Sequence, residues 1–417
     1  KNKGIQHDFS KDALNLKIIE IDNEKWLTAE ETTLGADNAV GIAYNLAIMK
    51  SLRENSLDLK DLDLDLLFTV DEEQGLTGAS KLDKNLISGK YLLNLDSEEE
   101  NKFTIGCAGG RVFTIETKLE KIQINILQND IIPVRIDISG LKGGHSGTDI
   151  NKQRGNAIKI LGEVLWNLNA KYDINIKLLE GGNKPNAIPR ESYAILYINK
   201  SQFREINEDI QAIFQNIKNL YYGSDSNLLI KFGEEKEFAG KYSFNNEFQN
   251  KLLDFLCILP NGQVSFHPTS KGLVHTSLNL GSIHTLDDII KVQISTRSLT
   301  DYDKDILFEK IKILLKLSQM NHNIIVDTVY PSWPPNFDSN LVKSVKEVYR
   351  KTFKEDAIIQ AIHAGLECAY FSYYFPEMEM ISLGPIIVGN HSPDERLKIV
   401  SAQKIWNFLI ELLKHLK

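Results

Sequence analysis

The sequence predicts an α/β protein, an open mixed sheet with helices on both faces, interrupted by an inserted α+β domain. Two observations carry that expectation. Towards both ends of the chain, apolar runs that read as buried strands alternate with helical spacing, and acids stand directly behind two of those runs. Strand, helix and strand with polar groups at the carboxyl ends belong to an open α/β sheet whose site lies along that edge. Between about residues 110 and 330 the pattern changes to alternating, half-buried strands, the mark of a layer with one wet face. The expected domains are therefore 1–109 with 331–417, and 110–330 as the insertion.

Taken in order, residues 11–36 read as short strands and turns. Ala39, Val40, Ile42, Ala43, Leu46, Ala47 and Met49 then fall at helical spacing, which predicts a helix over 38–52. Residues 62–70 end in Leu66-Leu67-Phe68-Thr69-Val70 and read as a buried strand, followed at once by Asp71, Glu72 and Glu73. A short helix is expected near 79–82, and a second buried strand over 91–95 carries Asp96 at its end. In the insertion the expected strands are 112–118, 134–139, 186–199, 292–299 and 324–330, with helices over 156–168, 203–217 and 302–317. Tyr330-Pro331-Ser332-Trp333-Pro334-Pro335 reads as a stiff return hinge. A helix over 341–353, strands over 357–362 and 378–383, and a helix over 402–417 close the chain. The set over 292–330 is similar to the earlier one, but no repeat is sharp enough for a solenoid and no low-complexity tract is visible.

A chain of 417 residues is long enough for two domains with sizeable cores, and 42% apolar with 25% charged residues is a globular composition. A net charge of −8 argues against nucleic acid as partner. Cys107, Cys257 and Cys368 are far apart and form no CxxC, so structural disulfides and a thiolate zinc site are not expected and a reducing, cytoplasmic compartment is. No apolar run approaches a membrane span. Residue 1 is a lysine rather than an initiator methionine, and the natural chain is expected to start upstream of it.

The chemistry concentrates in loops. Thr33-Leu34-Gly35-Ala36-Asp37-Asn38 places an acid where a loop enters a helix; alone, Asp37 reads as an N-cap. Asp37, Glu73, Asp96 and His391 are together hard or borderline donors suited to zinc, manganese or cobalt. Adjacent Glu72 and Glu73 fit a division of labour in which one binds metal and the other moves the proton of a water, or else form a solvated acidic turn. Glu98-Glu99-Glu100 reads as a solvated run. His145 in Gly143-Gly144-His145-Ser146-Gly147 is either a turn residue or a donor to an oxyanion. Asn186 and Arg190 flank Ile188-Pro189 and are equally readable as strand-edge surface. His363, Gly365 and Glu367 form a further polar loop.

The order Leu34-Gly35-Ala36-Asp37-Asn38, Glu72-Glu73-x-Gly75, Asp96-Ser97-Glu98-Glu99, Gly143-Gly144-His145-Ser146-Gly147, Asn186-Ala187-Ile188-Pro189-Arg190, His363-Ala364-Gly365-Leu366-Glu367 and Gly389-x-His391-Ser392-Pro393-Asp394-Glu395 resembles the aminoacyl-histidine dipeptidases, within the di-zinc aminoacylase and carboxypeptidase superfamily of metallopeptidases. The resemblance runs the length of the chain. It implies a di-zinc peptidase catalytic domain with an inserted lid or dimerisation domain, and a second copy of the chain as partner, in a homodimer. It implies hydrolysis of dipeptides, notably Xaa-His, by metal-activated water with Glu72 as general base. The cofactor would be Zn²⁺, two per complete site, with Mn²⁺ or Co²⁺ as substitutes. Asp37 would bridge the metals, Glu73 and His391 would hold one, and Asp96 would help hold the other. His145 would polarise the scissile carbonyl from the inserted domain, of the same or a partner subunit. Asn186, Arg190 and Glu367 would line the substrate site, and the Asp37–Asn38 peptide would be cis.

The family's Gly-His-x-Asp strand, which supplies a further metal-binding histidine, has no counterpart in these 417 residues. Residues 1–417 by themselves are therefore expected to hold about one metal or fewer and to be essentially inactive, because two carboxylates without an imidazole hold a borderline metal poorly. The alternatives are a non-catalytic binding protein of the same fold, or a related aminotripeptidase or aminoacylase.

Overall fold

The computed structural model describes residues 7–73, 75–124, 130–235 and 242–416. The chain forms two compact units. One comprises residues 1–107, 333–362 and 366–417; the other comprises residues 108–332 and takes in 363–365. Lys417, expected in the closing helix, lies outside the described residues.

The first unit holds two four-stranded sheets. One runs Ile358–Ile362, Lys102–Cys107, Glu379–Ser382, Tyr91–Asn94 and is mixed, with parallel pairs at both margins around an antiparallel junction. The other runs Leu16–Ile21, Glu24–Ala29, Arg396–Lys398, Ile387–Val388 and is antiparallel. Helices Ala36–Arg53, Asn340–Phe353 and Ile399–His415 pack their apolar stripes onto a shared core. Phe103, Tyr349 and Phe408 sit at its centre with ring centroids 5.1–5.4 Å apart. Buried aromatics of this kind are each worth about 1.5–3 kcal/mol. They tie the strand leading to Cys107 to the last two long helices.

One expected element is absent. Residues 62–70 form no strand: Leu62, Leu64 and Leu66 alternate onto the core, but the backbone is extended without ladder partners among the described residues. The apolar alternation is real, whereas a strand also needs a neighbour to take its hydrogen bonds. Phe68 and Val70 are accordingly exposed.

The second unit is built on a sheet ordered Leu229–Glu234, Ile131–Ser139, Ser192–Asn199, Asn175–Gly181, Val274–Thr285, Ile289–Ser298, Gly109–Lys118, His322–Tyr330, with Gly262–Phe266 added beside Val274–Thr285. This order contains a full duplication, of which the sequence displays only the returning set over 292–330. Strand Ile131–Ser139, helix Ala157–Lys171, strands Asn175–Gly181 and Ser192–Asn199, helix Phe203–Leu220 and strand Leu229–Glu234 make one set. Strand Gly109–Lys118, helix Asn246–Ile258, strands Val274–Thr285 and Ile289–Ser298, helix Asp301–Ser318 and strand His322–Tyr330 make another in the same order.

The two sets occupy mirrored places about the junction of Gly181 with Ile283 and Glu180 with His284. Their first helices lie side by side, linked by Trp166 to Asp254 at 2.9 Å and by Asn169 to Asn250 at 2.7 Å. The first set is inserted between the opening strand and the first helix of the second. Its first turn carries His145.

Candidate active site

The helix Ala36–Arg53 begins without a local side-chain cap. Gly35 occupies the N-cap position in the left-handed region, φ 70°, which suits a residue without Cβ. Asp37 and Asn38 are non-helical, and the peptide between them is cis. Asp37 is therefore not the cap, and its carboxylate is free for other work. The helix amides are received instead by Glu395, whose two oxygens accept from Gly35 N at 2.8 Å and Asp37 N at 3.2 Å.

Glu72 and Glu73 enter a tight turn behind residues 62–70, in which Leu76 N donates to Glu72 O at 2.9 Å. Gly78 is required there, since a Cβ would lie 2.7 Å from Val70 N. His391 sits in a loop closed by the Ser392 hydroxyl on Gly389 O at 2.6 Å, with Gly389 and His391 both at positive φ.

These loops converge. His391 Nε2 lies 3.0 Å from Asp37 Oδ2 and 3.0 Å from Glu73 Oε1. One donor atom from each residue falls within 4.8 Å of the other two, and Asp96 is outside that trio. Asp96 is hydrogen-bonded to Asp37 instead. Glu72 lies among Glu73, Glu367, Asp37 and His391. Glu367 is buried; one of its oxygens accepts from the Thr69 hydroxyl at 2.9 Å and the other is buried without a partner. Glu98 departs from the expected solvated run. It is half-buried, accepts from Asn390 Nδ2 at 2.6 Å, and faces Asp37 and His391.

Among the described residues no lysine or arginine pairs with Asp37, Glu72, Glu73, Asp96, Glu98 or Glu367. Six carboxyl groups around one imidazole are strongly mutually repulsive, and oxygen and imidazole donors suit a borderline divalent cation. The donor set fits a metal.

The protons respond to this crowding. Burial, then the charges of Glu73, Glu367 and Asp37, push Glu72 up to about 7. Burial and the adjoining Asp37 push Asp96 up to about 8. For His391, burial opposes the charge, but the Asp37 hydrogen bond and the carboxylates of Glu73, Asp37 and Glu98 outweigh it and raise the pKa.

All three groups hold a proton in the fold at pH values where the unfolded chain has released it. Their contribution to stability is present at lower pH and is lost as pH rises through the folded values. Buried His363, pushed down to about 3, works in the opposite sense only below its unfolded value of 6.5. Chelator-treated protein should thus melt at lower temperature as pH is raised from about 6.5 to 8. Zinc should reverse the trend and release protons on binding. Melting curves at the two pH values check this; a chelated protein that gains stability over that interval would contradict the charge assignment.

The second unit gathers His145, Asn186 and Arg190 on one two-stranded ribbon. His145 pairs with Ala187 and Gly144 with Ile188, and Ser146 N donates to Asn186 O at 2.8 Å. Asn186 and Arg190 are exposed, and the Arg190 side chain runs against Gly143. His145 Nδ1 accepts from Gly147 N and Thr148 N, both at 3.2 Å, so the ring's proton is left on Nε2. Burial and the nearby Arg297 charge lower its pKa, so the ring is neutral and presents Nε2–H as a donor. Buried Asp225 braces this loop, accepting from Lys142 N and Gly155 N at 2.8 Å each.

Arg297 and His363 stand beside His145; His363 belongs to the polar loop noted in the sequence without a role, and Arg297 was not singled out. Arg297 is 7% exposed, has no acidic partner among the described residues, and leaves its Nε unsatisfied. Its guanidinium lies 5.9 Å from the Tyr330 ring. His363 Nε2 is 2.7 Å from the Ser277 hydroxyl. Only the fold reveals either as buried. In sequence, Arg297 is one arginine near a strand end.

Comparison with known proteins places the chain in a family. Residues 35–415 match the Peptidase family M20/M25/M40. The chain is 34% identical over 416 residues to the cytosol non-specific dipeptidase of Escherichia coli K12, covering 100% of this chain and 82% of that protein. The solved aminoacylhistidine dipeptidase of Vibrio alginolyticus superposes with a TM-score of 0.89 at 32% identity, covering 100% of this chain and 81% of that one. The PepT aminopeptidase of Bacillus cereus shares the fold at a TM-score of 0.52 and 13% identity, over 96% of this chain and 76% of its own. The chain described here belongs to the Peptidase family M20/M25/M40.

Proposed function

We propose that this chain is a metal-dependent dipeptidase acting on unblocked dipeptides, Xaa-His among them. The observation that carries the reading is the placement of His391 Nε2 3.0 Å from both Asp37 and Glu73, with the raised carboxyl of Glu72 beside them. Asp37, Glu73, His391 and Asp96 would hold the metal, zinc with manganese or cobalt as substitutes. A bound divalent cation would supply Lewis acidity toward the peptide carbonyl and lower the pKa of water.

The chain's own residues do the rest. Glu72 takes a proton from the attacking water as its oxygen bonds to the carbonyl carbon. It returns that proton to the nitrogen as the C–N bond breaks. His145 Nε2–H donates to the carbonyl oxygen as negative charge develops there. The unpartnered oxygen of Glu367 suits a substrate ammonium, and the unpaired guanidinium of Arg297 suits a terminal carboxylate. Asn186 and Arg190 line the substrate's path.

A cytoplasmic enzyme is consistent with the E. coli relative, a cytosol dipeptidase; no helix among the described residues is long and apolar enough to cross a membrane. The exposed edge strand His322–Tyr330, with Ile325, Val326 and Val329 in solvent, supports a homodimer, which light scattering tests.

A substrate panel on the metal-loaded complete enzyme, rather than on residues 1–417 alone, tests the reading. Release of histidine from β-alanyl-histidine and cleavage of other free dipeptides are expected, with little action on tripeptides or acylated amino acids. Preference for either of the latter would replace the dipeptidase reading. Arg297→Met should weaken kcat/KM for dipeptides by about 10–100-fold, the worth of a hydrogen bond between charged groups. It should cost little for dipeptide amides, and the fold should tolerate it, since an unpaired buried charge is removed. Equal losses on dipeptides and amides would detach Arg297 from the carboxylate.

A further inference from the structure

Glu395 is 1% exposed, and its carboxylate has no cationic partner among the described residues. Each oxygen takes one amide: Oε2 accepts from Gly35 N at 2.8 Å and Oε1 from Asp37 N at 3.2 Å, straddling Ala36. The backbone of the same residue is anchored twice more. Glu395 N donates to Ser392 O at 3.1 Å, closing the loop that carries His391. Glu395 O accepts from the buried Thr28 hydroxyl at 2.7 Å. Gly389, at the mouth of this loop, lies so close that a Cβ would be 2.9 Å from Asp394 O. One residue thus joins the Asp37 loop to the His391 loop and fixes the backbone of the first from inside the second.

We infer that Glu395 is a positioning residue that sets the distance between Asp37 and His391, and so the metal affinity of the cluster. The inference rests on reading the cluster as a metal site. A carboxylate is the group the geometry needs. Two amides on either side of one residue call for two acceptors, and their shared negative charge also suits the start of a helix. Glutamine has one acceptor oxygen and would turn its NH₂ toward the other amide, releasing either Gly35 or Asp37.

The competing explanation is that Glu395 merely caps the helix. A cap contributes stability and leaves the affinity of a distant ligand set alone. Partners that orient metal ligands act on affinity, typically by about 10–100-fold.

The test is zinc affinity, measured by competition with a chromophoric chelator on the whole chain, together with melting temperature. Glu395→Gln is expected to bind zinc about 10–100-fold more weakly with its circular dichroism unchanged. Thr28→Val, which loosens the same loop without touching the carboxylate, is expected to lower the melting temperature and keep the affinity. Full zinc affinity in Glu395→Gln, or an equal loss in Thr28→Val, overturns the inference. Should Glu395→Gln not fold, Glu395→Asp, which keeps the charge but withdraws it by a methylene, is read by the same criterion. Asp37→Ala separates the two levels. If it leaves zinc affinity unchanged, the metal-site reading fails; if it abolishes binding while Glu395→Gln binds fully, only the role of Glu395 fails.

Discussion

In a complete enzyme, Glu72→Gln is expected to retain its metal and to lose turnover by about 10²–10⁴, the usual worth of a positioned general base. The substitution keeps the size of the side chain and removes its ability to take a proton. Asp37, Glu73 and His391, whose donor atoms converge, are untouched. Glu72 is suited to the task because burial and its acidic neighbours push it up to about 7, near the pH at which a base both accepts and returns a proton. Metal content by atomic emission and steady-state rates on a dipeptide check the two halves of the statement. Turnover within about threefold of the unsubstituted protein would remove Glu72 from the mechanism.

His145→Ala should lower kcat by about 10²–10³ with a much smaller change in KM, the pattern of a donor that acts where charge develops. The structural ground is the tautomer. With Nδ1 accepting from two backbone amides, the ring can offer only Nε2–H, and its lowered pKa keeps it neutral. His145→Gln retains a side-chain donor and should recover part of the rate. A loss that falls on KM alone would make His145 a binding residue rather than a stabiliser of the reacting carbonyl.

The strand and helix pattern was legible wherever a single face was apolar. Helix Asp301–Ser318 and strand Ile289–Ser298 lie close to their expected spans because their buried positions recur with the period of the element. Strand Val274–Thr285 was not visible. Its buried residues include Thr276, Ser277, Asn279 and Ser282, which read as loop in sequence and are buried here beside partners far along the chain. Residues 62–70 fail in the opposite way, with the apolar content of a strand and no neighbour to pair with.

The site divides on the same line. Asp37, Glu73, Asp96 and His391 stood out because acids and a histidine occupied loops where a bland residue would serve. Glu98 was lost within Glu98-Glu99-Glu100. Glu99 reaches Lys102 and Glu100 reaches Lys404, while Glu98 turns inward to Asn390. Glu395 and Arg297 reach their surroundings through tertiary placement alone. The amides that Glu395 holds are 358 and 360 residues away, and no periodicity in a sequence encodes such a contact.

The central claim is that Asp37, Glu73 and His391 hold the catalytic metal. Anomalous diffraction at the zinc edge, on crystals grown with zinc, tests it most directly. The account predicts a peak bounded by Asp37 Oδ2, Glu73 Oε1 and His391 Nε2, the three atoms that already converge. A peak elsewhere, with these three side chains still bonded to one another, would contradict it.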